Sequence, residues 1–508
     1  MIAFAALSGP LPKAGVIVAA VLSALSLIAS APKLRAAAMA GALVLAPALL
    51  LADIWSSPQL RVIHRHPLMA AVGAAAALVL IAALAVVIAR RPAVLAVLTV
   101  AALPFRIPIQ AGATTSNLLV PLYLVVAAGS FAYIVKAFRS SDDENDEWTP
   151  GWVPRLLALY VAVYAVQSIY SADFERALQQ VVFFYVPFAL LFVLLTQLRW
   201  TPGLIRVCFT LVVVLAVLFA AIGFVEYSTK TIFLNPKLVV ANDLHTYFTV
   251  NSVFFDPDIF GRFLALVMIG LAAILLFDRS SDSAARIRQV LGVSVILAIL
   301  WGGLVLTLSR SSLGALLVGL ATLAALRWRV SRTLWVVVVV VAVGAAAVAI
   351  SPKTFGLNQG LNGASSGRAD LVSGGSNLFA DRPVWGYGSG SFVTEYRRHH
   401  PGSSQTLSAS HTIPITIAAE QGVIGELVYL ALVIVAIVVL LRGSRSHAAR
   451  AAIAAAFLAL VLHTLLYADF LEDPVTWALL AIGMALAARA SEPEPDAGAA
   501  SAATAVAA

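Results

Sequence analysis

VLGVSVILAILWGGLVLTLSRSSLGALLVGLATLAAL, residues 290–326, runs for 37 residues with a single charge, Arg310. As one helix it would reach ~55 Å, well beyond the ~30 Å hydrocarbon core of a bilayer. It therefore reads as two crossings folded back at Ser309-Arg310-Ser311-Ser312, which places Arg310 at a tight turn and out of mid-membrane. Moved along the rest of the chain, the same ruler finds apolar runs near 14–30, 36–52, 69–89, 92–109, 117–135, 154–170, 178–197, 203–224, 259–277, 288–308, 311–326, 333–350, 413–440, 449–467 and 473–488. The predicted fold is all-α: a polytopic transmembrane helical bundle of about 12–15 spans with one large extracytoplasmic loop.

Composition agrees. The 508 residues are 61% hydrophobic and 11% charged, with a mean hydropathy of +0.95, which excludes a soluble globular protein. The net charge of +8 does not mark a nucleic-acid binder, because the basic residues are dealt out in twos and threes between apolar runs. Cys208 is the only cysteine, so no intrachain disulfide forms. Only Lys13 precedes the first apolar run and many spans follow it, so that run reads as a span and not as a cleaved signal.

Lys33/Arg35, Arg90/Arg91, Lys136/Arg139/Arg155, Arg199/Arg206, Arg279/Arg286/Arg288, Arg327/Arg329/Arg332, Arg442/Arg445/Arg450 and Arg489 fall on one side of this topology. They make up 19 of the 33 Lys and Arg, and the side that holds them is assigned to the cytoplasm. The acidic run SDDENDE (141–147) shares that side, where acidic residues steer orientation weakly. The other face holds the loops at 53–68, 225–257 and 351–410, together with the span ends that carry Arg262, Arg310 and His411. The expected organisation is N-terminal helices over 1–110, a core bundle over 111–350, the extracytoplasmic loop over 351–410, C-terminal helices over 411–490 and a disordered cytoplasmic tail over 491–508. The Gly- and Ser-rich stretch 351–410 is too long to be a plain connection, which points to function. The Pro-, acid- and Ala-rich tail has too little to bury.

An ionic group at a helix centre costs ~2.5–3.5 kcal/mol on insertion scales, so polar residues at span ends are candidates for function. His411 stands just before a helix that opens near Thr412 with Pro414 in its first turn. Helix amides aimed at it favour anions and a neutral imidazole, the form that accepts a proton from a sugar hydroxyl. On position alone it fits a solvated loop histidine as readily. Arg262 and Arg310 offer permanently charged planar donor forks suited to phosphate oxygens; each also fits an arginine snorkelling to the interface. Asp256-Pro257-Asp258 has a metal-binding D-x-D form but reads as an N-cap followed by proline. His399, His400 and His411 lack metal-ligand spacing, and no metal site is expected. Glu420 lies nine residues beyond His411, ~180° around a regular helix, and reads as a packing or hydrogen-bonding residue; Gly422 and Gly425 permit a close helix approach.

Three features resemble the O-antigen ligase and O-antigen polymerase superfamily. TLSRSSLGALL is similar to its Ser-Arg-Ser signature. GRADLVSGGSNLFADRPVWGYGSGSF is similar to its Gly-Arg element followed by a Pro-x-x-Gly-x-Gly-x-Gly-Phe-type stretch. His411, then nine residues after Thr412, then Gly422-Val423-Ile424-Gly425 follows the ligase pattern except at Thr412, where Asn, Ser or Gln is usual. The resemblance spans roughly 100–470, with specific text between about 255 and 430. It implies a metal-independent, cofactor-free inverting glycosyltransferase of the inner membrane, with its site facing outward. The donor would be a glycan on undecaprenyl diphosphate and the acceptor a glycan or lipid-glycan. His411 would activate the acceptor hydroxyl and Arg262 and Arg310 would hold the diphosphate, with Arg368, Arg382, Arg397 and Arg398 as further loop contacts. Membrane lipid and other envelope-polysaccharide assembly proteins are the expected partners, and nucleic acid is not. Members usually show about twelve spans, so the extra N-terminal ones depart from the pattern. A transporter or flippase of an anionic or polar solute is the alternative, although transporters carry charge deeper in their spans. A non-catalytic scaffold has no specific feature in its favour.

Overall fold

The structure, a computed structural model, describes residues 9–55, 65–105, 107–111, 114–140, 149–233, 248–277, 282–328, 368–401, 412–467 and 469–489, with isolated positions between them. Sixteen helices and one hairpin make up these segments: α1 (Pro10–Ile28), α2 (Pro32–Ile54), α3 (Pro67–Arg90), α4 (Ala93–Ala102), β1 (Ile107–Ala111), β2 (Thr114–Leu118), α5 (Val120–Arg139), α6 (Trp152–Ser168), α7 (Phe174–Thr196), α8 (Pro202–Thr229), α9 (Pro257–Phe277), α10 (Ser283–Leu306), α11 (Arg310–Arg327), α12 (Arg368–Asp381), α13 (Phe392–His399), α14 (Ile413–Leu441), α15 (Ala448–Leu466) and α16 (Pro474–Arg489). Eleven of them are long and apolar enough to cross a membrane, so the polytopic helical bundle read from the sequence holds.

The boundaries have local causes. Proline in the first turn opens α1, α2, α3, α5, α8 and α14, where its missing N–H and preset φ cost nothing. Side chains take up the orphan amides elsewhere: Asp173 accepts from Arg176 N, Thr201 from Leu204 N, Asp282 from Ala284 N and Ser309 from Ser312 N. The fold-back expected at 309–312 is present, since α10 ends at Leu306 and α11 begins at Arg310.

One expected span is corrected. The run 92–109 is not a crossing: α4 covers ten residues, and the chain then enters the β1–β2 hairpin, paired antiparallel from Ile107↔Leu118 to Ala111↔Thr114. Pro104 and Pro108 interrupt the helical text there, and a proline has no amide to continue a helix. The run at 333–350 and the tail at 491–508 lie outside the described residues.

Two apolar cores organise the bundle. The larger surrounds α7 and draws on α1, α2, α5, α6, α14 and α16; the second surrounds α9 and draws on α8, α10, α11 and α15. The chain passes from the second to the first through the α15–α16 turn at 467–473. One end of the bundle carries the turns with Arg35, Arg90, Arg91, Arg139, Arg199, Arg327 and Arg442. The opposite, polar end gathers the starts of α7, α9, α11, α14 and α16. Contacts distant in sequence tie each end together: Arg35 donates to Tyr133 Oη at the basic end, and Lys13 to Ile169 O at the polar end. Within 351–410, α12 and α13 pack on α14 around Leu371, Leu378, Phe392 and Tyr396, forming a small cap on the polar end.

Candidate functional site at the polar end

The turn Thr307–Ser309 is where the SRSS text acquires its geometry. Leu308 takes φ +53°, a left-handed conformation uncommon for a side chain of its size, and Ser309 caps α11. Arg310 is thereby the first residue of its helix, with an exposed side chain, while Ser309, Ser311 and Ser312 turn inward. Ser309 Oγ donates to the Asp258 carboxylate, Ser311 Oγ to Asp258 Oδ1 at 3.1 Å, and Ser312 Oγ to the Asp258 carbonyl at 3.1 Å. The serines of the signature thus fasten the Arg310 turn to the first turn of α9.

Beneath them lies His463, fully buried in α15, with Nε2 at 3.3 Å from both Ser311 Oγ and Ser312 Oγ. Both hydroxyl protons are already spent on Asp258, so the imidazole donates from Nε2. Nδ1 has no partner among the described residues. One turn along α9 from Asp258, Arg262 is buried and paired with Asp473 at 2.8 Å, the last residue of the α15–α16 turn. Its Nη1 is buried without a hydrogen-bond partner among the described residues. Arg368, the first residue of α12, closes the cluster, donating to Leu466 O at 2.9 Å and lying 3.8 Å from Asp258. Asp256 caps α9 through the Asp258 amide at 2.7 Å. Burial, reinforced by the Asp258 charge, raises its carboxyl to about 6.

The glycine-rich stretch locks against the break in α14. Gly386, Gly388 and Gly390 take φ of +64°, +95° and +79°, where a Cβ would be strained. In that shape Gly388 donates to Glu420 O at 2.7 Å and Tyr387 to Ala419 O at 3.1 Å, while Gly390 N and Phe392 N reach the Glu420 carboxylate at 2.8 and 3.0 Å. Gly422, at φ +63°, breaks the helix there, and the Val423 amide leaves it for Pro383 O at 2.8 Å. Its role is to break the helix, beyond the close approach expected of it.

Next to this lock is a polar cavity of about 80 Å³ between α6, α7, the start of α14 and the α15–α16 turn. Arg176, Gln180, Glu420 and Glu472 face it, with Tyr164 and Tyr185 in edge contact at 4.7 Å. Gln180 bridges Tyr164 to Glu472. Burial and the neighbouring Asp469 push the Glu472 carboxyl up. The turn is rigid, since Thr476 Oγ1 and Trp477 Nε1 hold Phe470 O at 2.6 Å and Leu471 O at 2.9 Å.

Of the residues singled out from sequence, the structure brings Arg262, Arg310 and Arg368 to this end of the bundle. His411 lies outside the described residues; Thr412, next in the chain, donates to Leu465 O at 3.2 Å beside the Arg368 contact. Arg382 stacks over Tyr387 at 4.4 Å, Arg398 pairs with Glu395 at 2.5 Å and Arg397 is exposed, so none of these three joins the Arg262 cluster. His399 and His400 turn Nδ1 to the carbonyls of Glu395 and Tyr396 in their own helix. Glu420 is a hydrogen-bonding residue, as expected. His463, Asp473, Arg176 and Glu472 were missed. A histidine within apolar text, as in LVLHTLL, and a cluster of three carboxylates between apolar runs, as in ADFLEDP, were the available signals for His463, Glu472 and Asp473.

A family model described as O-Antigen ligase matches residues 295–430, from the middle of α10 to the middle of α14. The match takes in the SRSS turn, the glycine-rich stretch and the break in α14, and supports the O-antigen ligase superfamily for this multi-pass membrane protein. None of the curated proteins compared with the chain matches it.

Proposed function

Taking the O-antigen-ligase segment as premise, we propose that the protein transfers or polymerises glycan from a polyprenyl-diphosphate donor onto an acceptor hydroxyl. The site is the polar end of the bundle, which the positive-inside rule turns to the outer face of the cytoplasmic membrane. One observation carries this reading. The SRSS turn, the start of α12 and the start of α14 are far apart in sequence, yet they come together around the end of α15, with cations at the rim.

In the proposed reaction the neutral imidazole of His411 accepts the proton of the acceptor hydroxyl. The hydroxyl oxygen attacks the anomeric carbon from the face opposite the diphosphate. The bond from that carbon to the diphosphate oxygen breaks, and its electron pair leaves on the diphosphate with inversion at carbon. Arg310, exposed at the rim, meets the growing charge, and Arg262 adds the guanidinium nitrogen that Asp473 leaves open. Undecaprenyl diphosphate is the proposed leaving lipid, and surface polysaccharide is the proposed product class.

Purified protein supplied with the host's lipid-diphosphate repeat unit tests this. Longer glycan from donor alone establishes a polymerase, and product only after a separate acceptor is added establishes a ligase. Donor carried intact across a sealed bilayer, with no bond broken, overturns the reading in favour of transport.

A further inference from the structure

Four tyrosines close the inner end of the polar cavity beside the glycine lock. Tyr160, Tyr164, Tyr185 and Tyr429 are all buried and line it together. Three of them stand in mutual ring contact: Tyr164 meets Tyr185 edge-on at 4.7 Å, Tyr160 meets Tyr185 at 5.9 Å, and Tyr160 lies 6.4 Å from Tyr164. The half-buried residues Arg176, Gln180, Ile413, Thr416, Asp469 and Glu472 form its mouth. At about 80 Å³ it has roughly half the ~150 Å³ that admits a benzene ring, so it takes a group smaller than a sugar ring.

Its charge does not balance. Glu420, Asp469 and Glu472 line it, and Arg176 is the one cation among the described residues that do. Asp469 hydrogen-bonds to Glu472, which places one proton between those two carboxyls. Glu420 already accepts the Gly390 and Phe392 amides. Two carboxylate charges therefore stand against one guanidinium, in a space walled by aromatic rings. Gln421, 1% exposed, adds an acceptor to the lining. Its Nε2 donates to Tyr160 Oη at 3.3 Å, while its Oε1 has no hydrogen-bond partner among the described residues. Buried charge is costly unless a counter-charge joins it.

Tyrosine rings, carboxylates and an open amide oxygen are the surroundings that hold an ammonium ion. A metal ion does not suit the cavity, because no three acidic, His or Cys side chains converge as ligands among the described residues. A neutral hydroxyl would leave the charge unbalanced. We propose that this cavity binds the protonated primary amine of an amino sugar, so that the glycan handled at this end of the bundle carries a free amine. Ile413, at the mouth, follows His411 by two residues in the chain. A sugar whose amine enters the cavity thus stands at the start of α14, where transfer is proposed. That the carrier is a sugar rests on the transferase reading; the ammonium site itself does not.

The test uses the full chain in detergent, with methylammonium as the probe and methanol, of the same size, as its uncharged counterpart. Saturation transfer from the protein to the methyl protons of each reads binding. Methylammonium should bind and methanol should not. Glu472→Gln should weaken methylammonium binding about tenfold, and Tyr185→Leu about as much. Glu472→Gln, which keeps the shape, decides if the tyrosine variant does not fold. Glu175→Gln, exposed on the first turn of α7, should leave binding unchanged. No binding of methylammonium, equal binding of methanol, or unchanged affinity in Glu472→Gln overturns the proposal. Displacement by equimolar potassium overturns it in favour of an inorganic cation. The host's own lipid-linked donor and its acceptor, each N-acetylated separately before a transfer assay, then locate the amine. Loss of turnover with the acetylated donor places it on the donor, and loss with the acetylated acceptor places it there. No loss with either defeats the amino-sugar assignment. Methylammonium binding without transfer from any donor would keep the ammonium site and defeat the transferase reading, and with it the sugar as carrier.

Discussion

The Gly390 amide donates to the Glu420 carboxylate at 2.8 Å across thirty residues of chain, and through this bond the glycine-rich stretch and the break in α14 become one unit. Glu420→Ala would leave the Gly390 and Phe392 amides unpaired in a buried site, at ~1–3 kcal/mol for each. Glu420→Gln keeps one acceptor oxygen and should cost about half as much. Thermal unfolding in detergent should rank wild type above Gln and Gln above Ala; equal midpoints would show that the bond is idle.

Gly388→Ala probes the same unit from the other side. At φ +95° the added methyl is strained and meets the Ser171 backbone, which belongs to the turn before α7. A loss of at least ~1–2 kcal/mol is expected. Faster protease cleavage near 382–391 is the readout, and unchanged cleavage would count against a locked loop.

Arg262 and Asp473 form a buried ion pair whose halves can be tested separately. Asp473→Ala strands a guanidinium and should destabilise by ~3–5 kcal/mol. Arg262→Met with Asp473→Leu removes both charges and should recover most of that stability. Under the proposed reaction, donor turnover should stay low in the recovered double variant, because Arg262 would no longer be there to hold the diphosphate. Full turnover there would make Arg262 a structural residue only.

The signature serines should matter through Arg310. Ser311→Ala with Ser312→Ala removes the hydroxyls that tie the Arg310 turn to Asp258, at ~0.5–1.5 kcal/mol of stability for each hydrogen bond, and loosens the turn that presents the arginine. Turnover should fall while the acceptor KM holds, as measured in steady-state transfer assays. A change confined to the acceptor KM would contradict this.

Asp256 gives a pH signature. Its carboxyl titrates at about 6 in the fold against 3.8 when free, so the folded state holds the proton more tightly. The stability linked to that proton is complete below about 3.8 and is lost as pH rises to about 6. Asp256→Asn should flatten the unfolding midpoint against pH across that window; an unaltered profile would assign the titration elsewhere.

Much of this architecture could be read from the text, because a bilayer imposes length and hydropathy on each span. The break at Ser309–Ser312 followed from length alone. The run at 92–109 misled because its length and apolar composition were read without the weight of Pro104 and Pro108, after which the chain turns into the hairpin. The cluster around His463 and Asp473 was hidden for another reason. Each sits in a short polar break in otherwise apolar text, and its partner lies elsewhere, Ser311 some 150 residues upstream and Arg262 some 210. Glu420 was placed by a regular helical wheel, which held for its hydrogen-bonding character but could not show that the amides it accepts come from the glycine-rich stretch.

The most direct measurement is release of polyprenyl diphosphate from its glycan in a single turnover, comparing wild type with His411→Ala and Arg310→Ala at equal folded concentration. The account predicts release by wild type, and a loss of roughly 10²-fold or more in each variant, the size expected for a general base or for a group stabilising the leaving charge. Equal release by all three proteins would contradict it.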